Sequence, residues 1–128
     1  MISITGKVIS GHGVASGKGK DNRYPEGTCA GIGYHAAKFG VVGMTKATAL
    51  EYAKENIRVN SVCPAVIETP MADRAFNTEK KLKNAIAMHP IGRLGTAKEV
   101  VNAICWLASD EASFVTGTAL AIDGGANL

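Results

Sequence analysis

The chain has 128 residues, of which 46% are hydrophobic and 20% charged, with a formal net charge of +3. That length suits one domain around one core, and the composition excludes a wholly disordered chain. Four basic and two acidic residues precede Tyr34, and ten and nine follow it. There is no basic stripe of the kind nucleic acid needs, and Lys80, Lys81 and Lys83 read as a solvated helix face, so no nucleic-acid partner is expected.

Residues 1–33 read as an irregular N-terminal segment, a short strand followed by a loop rich in Gly, Lys and polar side chains, ahead of a domain over 34–128. From Tyr34 to about Asn56 an abundance of Ala, Leu, Met, Lys and Glu, with charges along one flank, predicts a long and mostly buried helix. Gly40 and Gly43 cost that helix about 1 kcal/mol each relative to Ala, which suits a close approach by another helix. Residues 57–63 are short and β-branched, and Pro64 removes a backbone donor after them, so a strand ends there. Residues 64–92 show no strand pattern and are expected to be mobile, with short helices over 71–76 and 79–88.

Thr96 and Glu99 have the spacing of a capping box, and Val100, Ile104 and Leu107 recur at helical intervals behind it. They predict a helix over about 97–108, with Ser109, Asp110 and Glu111 at its exit. Residues 118–123 read as a buried strand closed by Gly124 and Gly125. The order helix, strand, helix, strand is that of an α/β fold with a parallel sheet.

Cys29, Cys63 and Cys105 are far apart and lack the spacing of a zinc site, so reduced thiols and no metal are expected. The N-terminus lacks a basic stretch followed by a long apolar one, and no apolar run reaches membrane-spanning length, so a cytoplasmic protein with no membrane partner is expected. His35 and His89 carry no mechanistic signal. His35 points away from the face shared by Tyr34 and Lys38, and His89 precedes Pro90 in a loop without a ligand partner.

Tyr34 and Lys38 are four residues apart on the predicted helix and therefore share a face. A nearby ammonium favours phenolate over phenol, so such a tyrosine can pass a proton to or from a hydroxyl or carbonyl oxygen. A Tyr-x-x-x-Lys pair alone is common by chance. Read with Asn56 to Pro64, Glu68-Thr69-Pro70-Met71, Pro90 to Gly95, Trp106 to Asp110, Val115-Thr116-Gly117 and Asp123-Gly124-Gly125, it resembles the short-chain dehydrogenase/reductase family over nearly the whole of 33–128.

The resemblance implies the C-terminal half of a Rossmann-like, doubly wound parallel sheet. It implies a cofactor, NAD or NADP, an alcohol or carbonyl substrate, and a homo-oligomer of dimer or tetramer type. Tyr34 would be the catalytic acid/base, and Lys38 would orient the nicotinamide ribose and tune Tyr34. Pro64, Ala65, Ile67 and Thr69 would face the cofactor, with Ile67 at the carboxamide and Thr69 on the phosphate side. The family usually has Gly where Ala65 stands.

The pattern breaks towards the N-terminus. Counted back from the tyrosine, the place of the family's catalytic serine is Asp21, and neither Ser10 nor Ser16 has its spacing. In one account the stretch from Ile4 to Gly19 corresponds to the family's first strand and glycine-rich phosphate loop, and the middle is deleted. In the other, Met1 to Thr5 is the strand that leads to the serine, Gly6 takes the serine's place, and the glycines punctuate an inserted loop. Either way the nucleotide-binding half is mostly missing, so the chain alone is expected to turn over slowly. A non-catalytic interaction protein docking on full-length relatives, or a degenerate fragment, is the competing reading.

Overall fold

The computed structural model describes residues 4–5, 8–9 and 32–128, with side chains from residue 36 onward. Ile4–Thr5 (β1) and Val8–Ile9 (β2) pair antiparallel, Ile4 opposite Ile9, in a two-stranded sheet of their own. Both accounts of the N-terminal segment place a strand over Ile4 and Thr5. Among the described residues the main sheet joins only the two strands of the C-terminal part. Ser10, Gly13, Ser16, Gly17, Gly19 and Asp21 lie outside the described residues, as does Gly6.

Helix α1 runs over Ile32–Tyr52 and passes through a 3-10 turn, Ala53–Glu55, towards β3, Ser61–Pro64. The reversal is made at Asn56, whose φ of 58° is left-handed, a conformation asparagine tolerates better than most side chains. Pro64 closes β3 as its last residue, where the missing N–H interrupts no further ladder. Two short helices follow, α2 over Pro70–Ala75 and α3 over Glu79–Ala87, capped by Thr69 and Thr78.

Helix α4, Ala97–Ala108, starts on the expected capping box: the Glu99 N–H donates to Thr96 Oγ1 at 3.3 Å, and the Thr96 N–H to Glu99 Oε2 at 2.8 Å. Strand β4, Ala119–Ile122, lies parallel to β3 with Ser61 opposite Ala119 and Pro64 opposite Ile122. The core sits between this pair and α4, where Val62, Val100 and Leu107 are buried and Ile104, Val115, Leu120 and Ile122 pack on them.

Two buried polar side chains knit the sheet to the end of α4. The Arg58 guanidinium donates to the carbonyls of Leu107 at 2.7 Å, Ser109 at 3.0 Å and Val115 at 3.3 Å, answering the orphan carbonyls and negative dipole at that helix end. Asn60 donates to the Val115 carbonyl and accepts the Thr118 N–H, so its amide holds the loop that feeds β4.

Two expectations about burial are corrected. On α1 only Thr45 and Ala49 are buried among the side chains described, while Phe39, Met44 and Leu50 are 49%, 56% and 83% exposed. Apart from α1's own backbone, nothing lies within 4 Å of where a Cβ would sit on Gly40 or Gly43, so among the described residues no other helix closes on them. On β4 the pattern alternates, with Leu120 and Ile122 turned towards the core and Ala119 and Ala121 exposed. The physical reason is the same for both: among the described residues each element has one covered face, and the two-stranded sheet has nothing to cover the other.

Candidate active site

In open parallel sheets ligands gather beyond the carboxyl ends of the strands. In this chain that end carries the segment 64–69. It is anchored from two directions. The Ala65 N–H donates to the Ile122 carbonyl at 3.3 Å, and Gly95 reaches across to accept from Glu68 N–H at 2.8 Å and to donate to Val66 O at 3.0 Å. Ile67 pairs with Gly95 in a parallel bridge. Gly95 lies close against Ile67: a Cβ on it would stand 2.6 Å from Ile67 Cδ1, so that methyl would have to turn aside to admit one.

This bridge decides where the polar groups of Ile67 face. Val66 O and Glu68 N are turned towards Gly95, and along an extended strand consecutive residues present their N–H and C=O to opposite sides. The N–H and C=O of Ile67 therefore face away from Gly95, one donor beside one acceptor. Its side chain packs on the core. Thr69 caps α2, its hydroxyl oxygen accepting the Ala72 N–H at 3.3 Å, which leaves the hydroxyl proton to donate elsewhere.

Tyr34 and Lys38 both lie on α1, with Lys38 half-buried and the Tyr34 side chain, like that of His35, outside the described residues. Helix α1 contacts β3. From Tyr52 back to Lys38 the helix rises about 21 Å, and from Ile57 forward to Pro64 an extended chain covers about 23 Å. The two arms of this helix–turn–strand unit are thus matched in length.

Charges near the strand ends are already committed. Arg93 forks onto Glu99 at 2.6 and 3.1 Å, and the Arg93 and Thr96 bonds pull the Glu99 carboxyl from its ordinary 4.5 down to about 2. Burial, and then the Asp123 carboxylate, push the Cys63 thiol up, so it is not an activated nucleophile. Among the described residues no group of three or more His, Cys, Asp or Glu could hold a metal. No described helix is long and apolar enough to cross a membrane.

Sequence reading missed His89. It is 3% exposed, and its two ring nitrogens reach Ala85 O and Val66 N. Nothing in the string Met88-His89-Pro90 signals this, because both partners are backbone groups that any sequence possesses.

Residues 26–127 match the family model described as Enoyl-(Acyl carrier protein) reductase. The chain belongs to the short-chain dehydrogenase/reductase family, and the relatives it matches are oxidoreductases. It is 51% identical over 92 residues to the 3-oxoacyl-[acyl-carrier-protein] reductase FabG of Thermotoga maritima, covering 72% of this chain and 37% of the relative. It is 50% identical over 92 residues to a cyclohexanol dehydrogenase of Acinetobacter sp., covering 72% and 35%. Among solved structures, a C-terminal deletion mutant of Thermoplasma acidophilum aldohexose dehydrogenase superposes with a TM-score of 0.68 at 43% identity, covering 73% of this chain and 44% of the other. The fold is accordingly a partial Rossmann-like one, and the chain spans little more than a third of the length of these curated relatives.

Proposed function

We propose that the chain is the substrate-side part of an NAD(P)-dependent oxidoreductase that interconverts an alcohol and a carbonyl compound in the cytoplasm. The observation that carries this reading is the turned-out N–H and C=O of Ile67 at the carboxyl end of β3. A carboxamide offers the complementary acceptor and donor, so these residues fit a nicotinamide. Pro64 and Ala65 would form the floor, Thr69 would donate its spare proton on the phosphate side, and Lys38 would hold the ribose. When bound, the nicotinamide supplies or takes up the hydride.

Tyr34 then gives its phenolic proton to the carbonyl oxygen during reduction and takes it back from the hydroxyl during oxidation. The Lys38 ammonium, one helical turn away, favours the phenolate that this exchange passes through. The substrate is an alcohol or carbonyl compound, the class that the names of the two curated relatives share. Homodimers or tetramers would form through the apolar side chains left exposed on α1 and α4.

A thermal melt with and without NADH or NADPH tests the reading, because a ligand that binds only the folded state raises the midpoint. A rise with either nucleotide is expected, and turnover by this chain alone should be far slower than by an intact relative. Ordinary turnover would overturn the view that activity needs the part of the relatives that lies outside the matched residues. A second reading is favoured by the exposure of Phe39, Met44, Leu50, Val101 and Trp106: a non-catalytic chain that docks on full-length subunits. Co-purification with such a subunit, without any nucleotide-induced rise, would favour it.

A further inference from the structure

The His89 ring lies against two backbone groups of fixed polarity. Its Nδ1 is 2.8 Å from the Ala85 carbonyl in the last turn of α3, and its Nε2 is 3.3 Å from the Val66 nitrogen. A carbonyl can only accept and a backbone N–H can only donate. The partners therefore fix the ring as neutral, with the proton on Nδ1 and a lone pair on Nε2.

We propose that His89 is a positioning residue for the cofactor-facing loop: its Nδ1–H tautomer ties the Val66 amide to the end of α3 and so sets where Ile67 and Thr69 stand. The chain leaves β3 after Pro64 and makes α2 and α3 before it reaches His89, and the ring closes the 23-residue span from Val66 at its base. On the other side the loop is held by the two Gly95 backbone bonds, and the Ile91 N–H donates to Gly124 O at 3.1 Å, securing the return to β4.

The ring also borders a cavity of about 230 Å³, whose charged lining is Arg93, Glu99 and Asp123. Arg93 and Glu99 bond each other, and Asp123 accepts from Gly125 N–H and Asn127 Nδ2. On α3, Lys83 pairs with Glu79, and Lys81 reaches Asn77. A second proton on Nε2 would face the Val66 N–H donor to donor, and the tie would open.

The functional consequence rests on reading residues 64–69 as cofactor-facing, whereas the tautomer and the Val66 bond do not. Nitrogen NMR of the labelled parent at neutral pH should show His89 protonated on Nδ1 and unprotonated on Nε2. The opposite tautomer, or a charged ring, overturns the proposal. Two variants then separate the ring's bonds. His89→Asn puts an amide N–H where Nδ1 stands and abandons Val66, while His89→Gln puts an amide oxygen where Nε2 stands and keeps it. Hydrogen exchange at the Val66 amide should quicken roughly tenfold or more in the Asn variant and stay near the parent's in the Gln variant. Equal exchange in both variants overturns the proposal. NADH affinity, measured by titration, should follow the same order. An exchange pattern as expected in a parent that binds no NADH supports the positioning role and sinks the cofactor reading instead.

Discussion

Replacing Arg58 by Met tests how the sheet is joined to α4. Methionine keeps most of the volume of the stem and removes all the donors. Of the three carbonyls involved, Val115 O retains the Asn60 amide at 2.9 Å, and Ser109 is only partly buried, so water can replace the guanidinium there. Leu107 is fully buried, and its carbonyl loses the 2.7 Å bond. One orphaned buried acceptor costs about 1–3 kcal/mol, and losing a cation at a helix C-terminus costs about 0.3–1 kcal/mol. The sum is a loss of about 1–4 kcal/mol. Urea unfolding followed by circular dichroism measures it, as a lower midpoint at an unchanged slope. A variant within about 0.5 kcal/mol of the parent would refute the reasoning, because it would mean that desolvating the guanidinium cancels what its bonds contribute.

Tyr34→Phe keeps the ring and removes the transferable proton, so any carbonyl reduction by the chain should slow by roughly 10²-fold or more with little change in melting temperature. Lys38→Ala should weaken nucleotide binding and move the rate profile to higher pH. Parent-like rates and profiles in both variants would show that the activity comes from elsewhere. The lowered Glu99 carboxyl contributes stability that is present above the ordinary carboxylate range and is lost as pH falls from 4.5 towards about 2; Glu99→Gln should flatten the acid limb of a melting-temperature series, more so at low salt. With its thiol pushed up and half-buried, Cys63 should react with a thiol reagent more slowly than the exposed Cys105, as mass mapping of the labelled chain would show.

The elements legible in the sequence are those specified by neighbours along the chain. The capping box from Thr96 to Glu99 and the helical recurrence of Val100, Ile104 and Leu107 are local facts, and α4 runs over the predicted residues. The strand expected over 57–63 is found at Ser61–Pro64; before it Val59 and Asn60 are buried, and their bonds to Thr116, Gly117 and Thr118 mix side-chain with backbone groups instead of continuing the ladder. Burial was misjudged on α1 and β4, since an apolar side chain states a preference for cover and says nothing about whether cover exists. The segment 64–69 is proposed as cofactor-facing through its likeness to a family, while the orientation of Ile67 follows from Gly95, far along the chain, and could not be read locally. The part played by His89 depends on two peptide groups and left no trace in residue types.

The pairing of β3 with β4 has a kinetic consequence. Ser61 and Ala119 face each other across 58 residues, as do Asn60 and Thr118. Each rung of that ladder closes a long loop, an entropic cost paid before the rung returns anything, whereas every bond within α4 closes a short one. Folding is therefore expected to place α4 early and the parallel pair late. Until β4 arrives, the Asn60 amide has neither Val115 nor Thr118 to hold, and the loop that follows Pro64 has no Ile122 carbonyl to rest on. The site would be among the last parts of the chain to take shape.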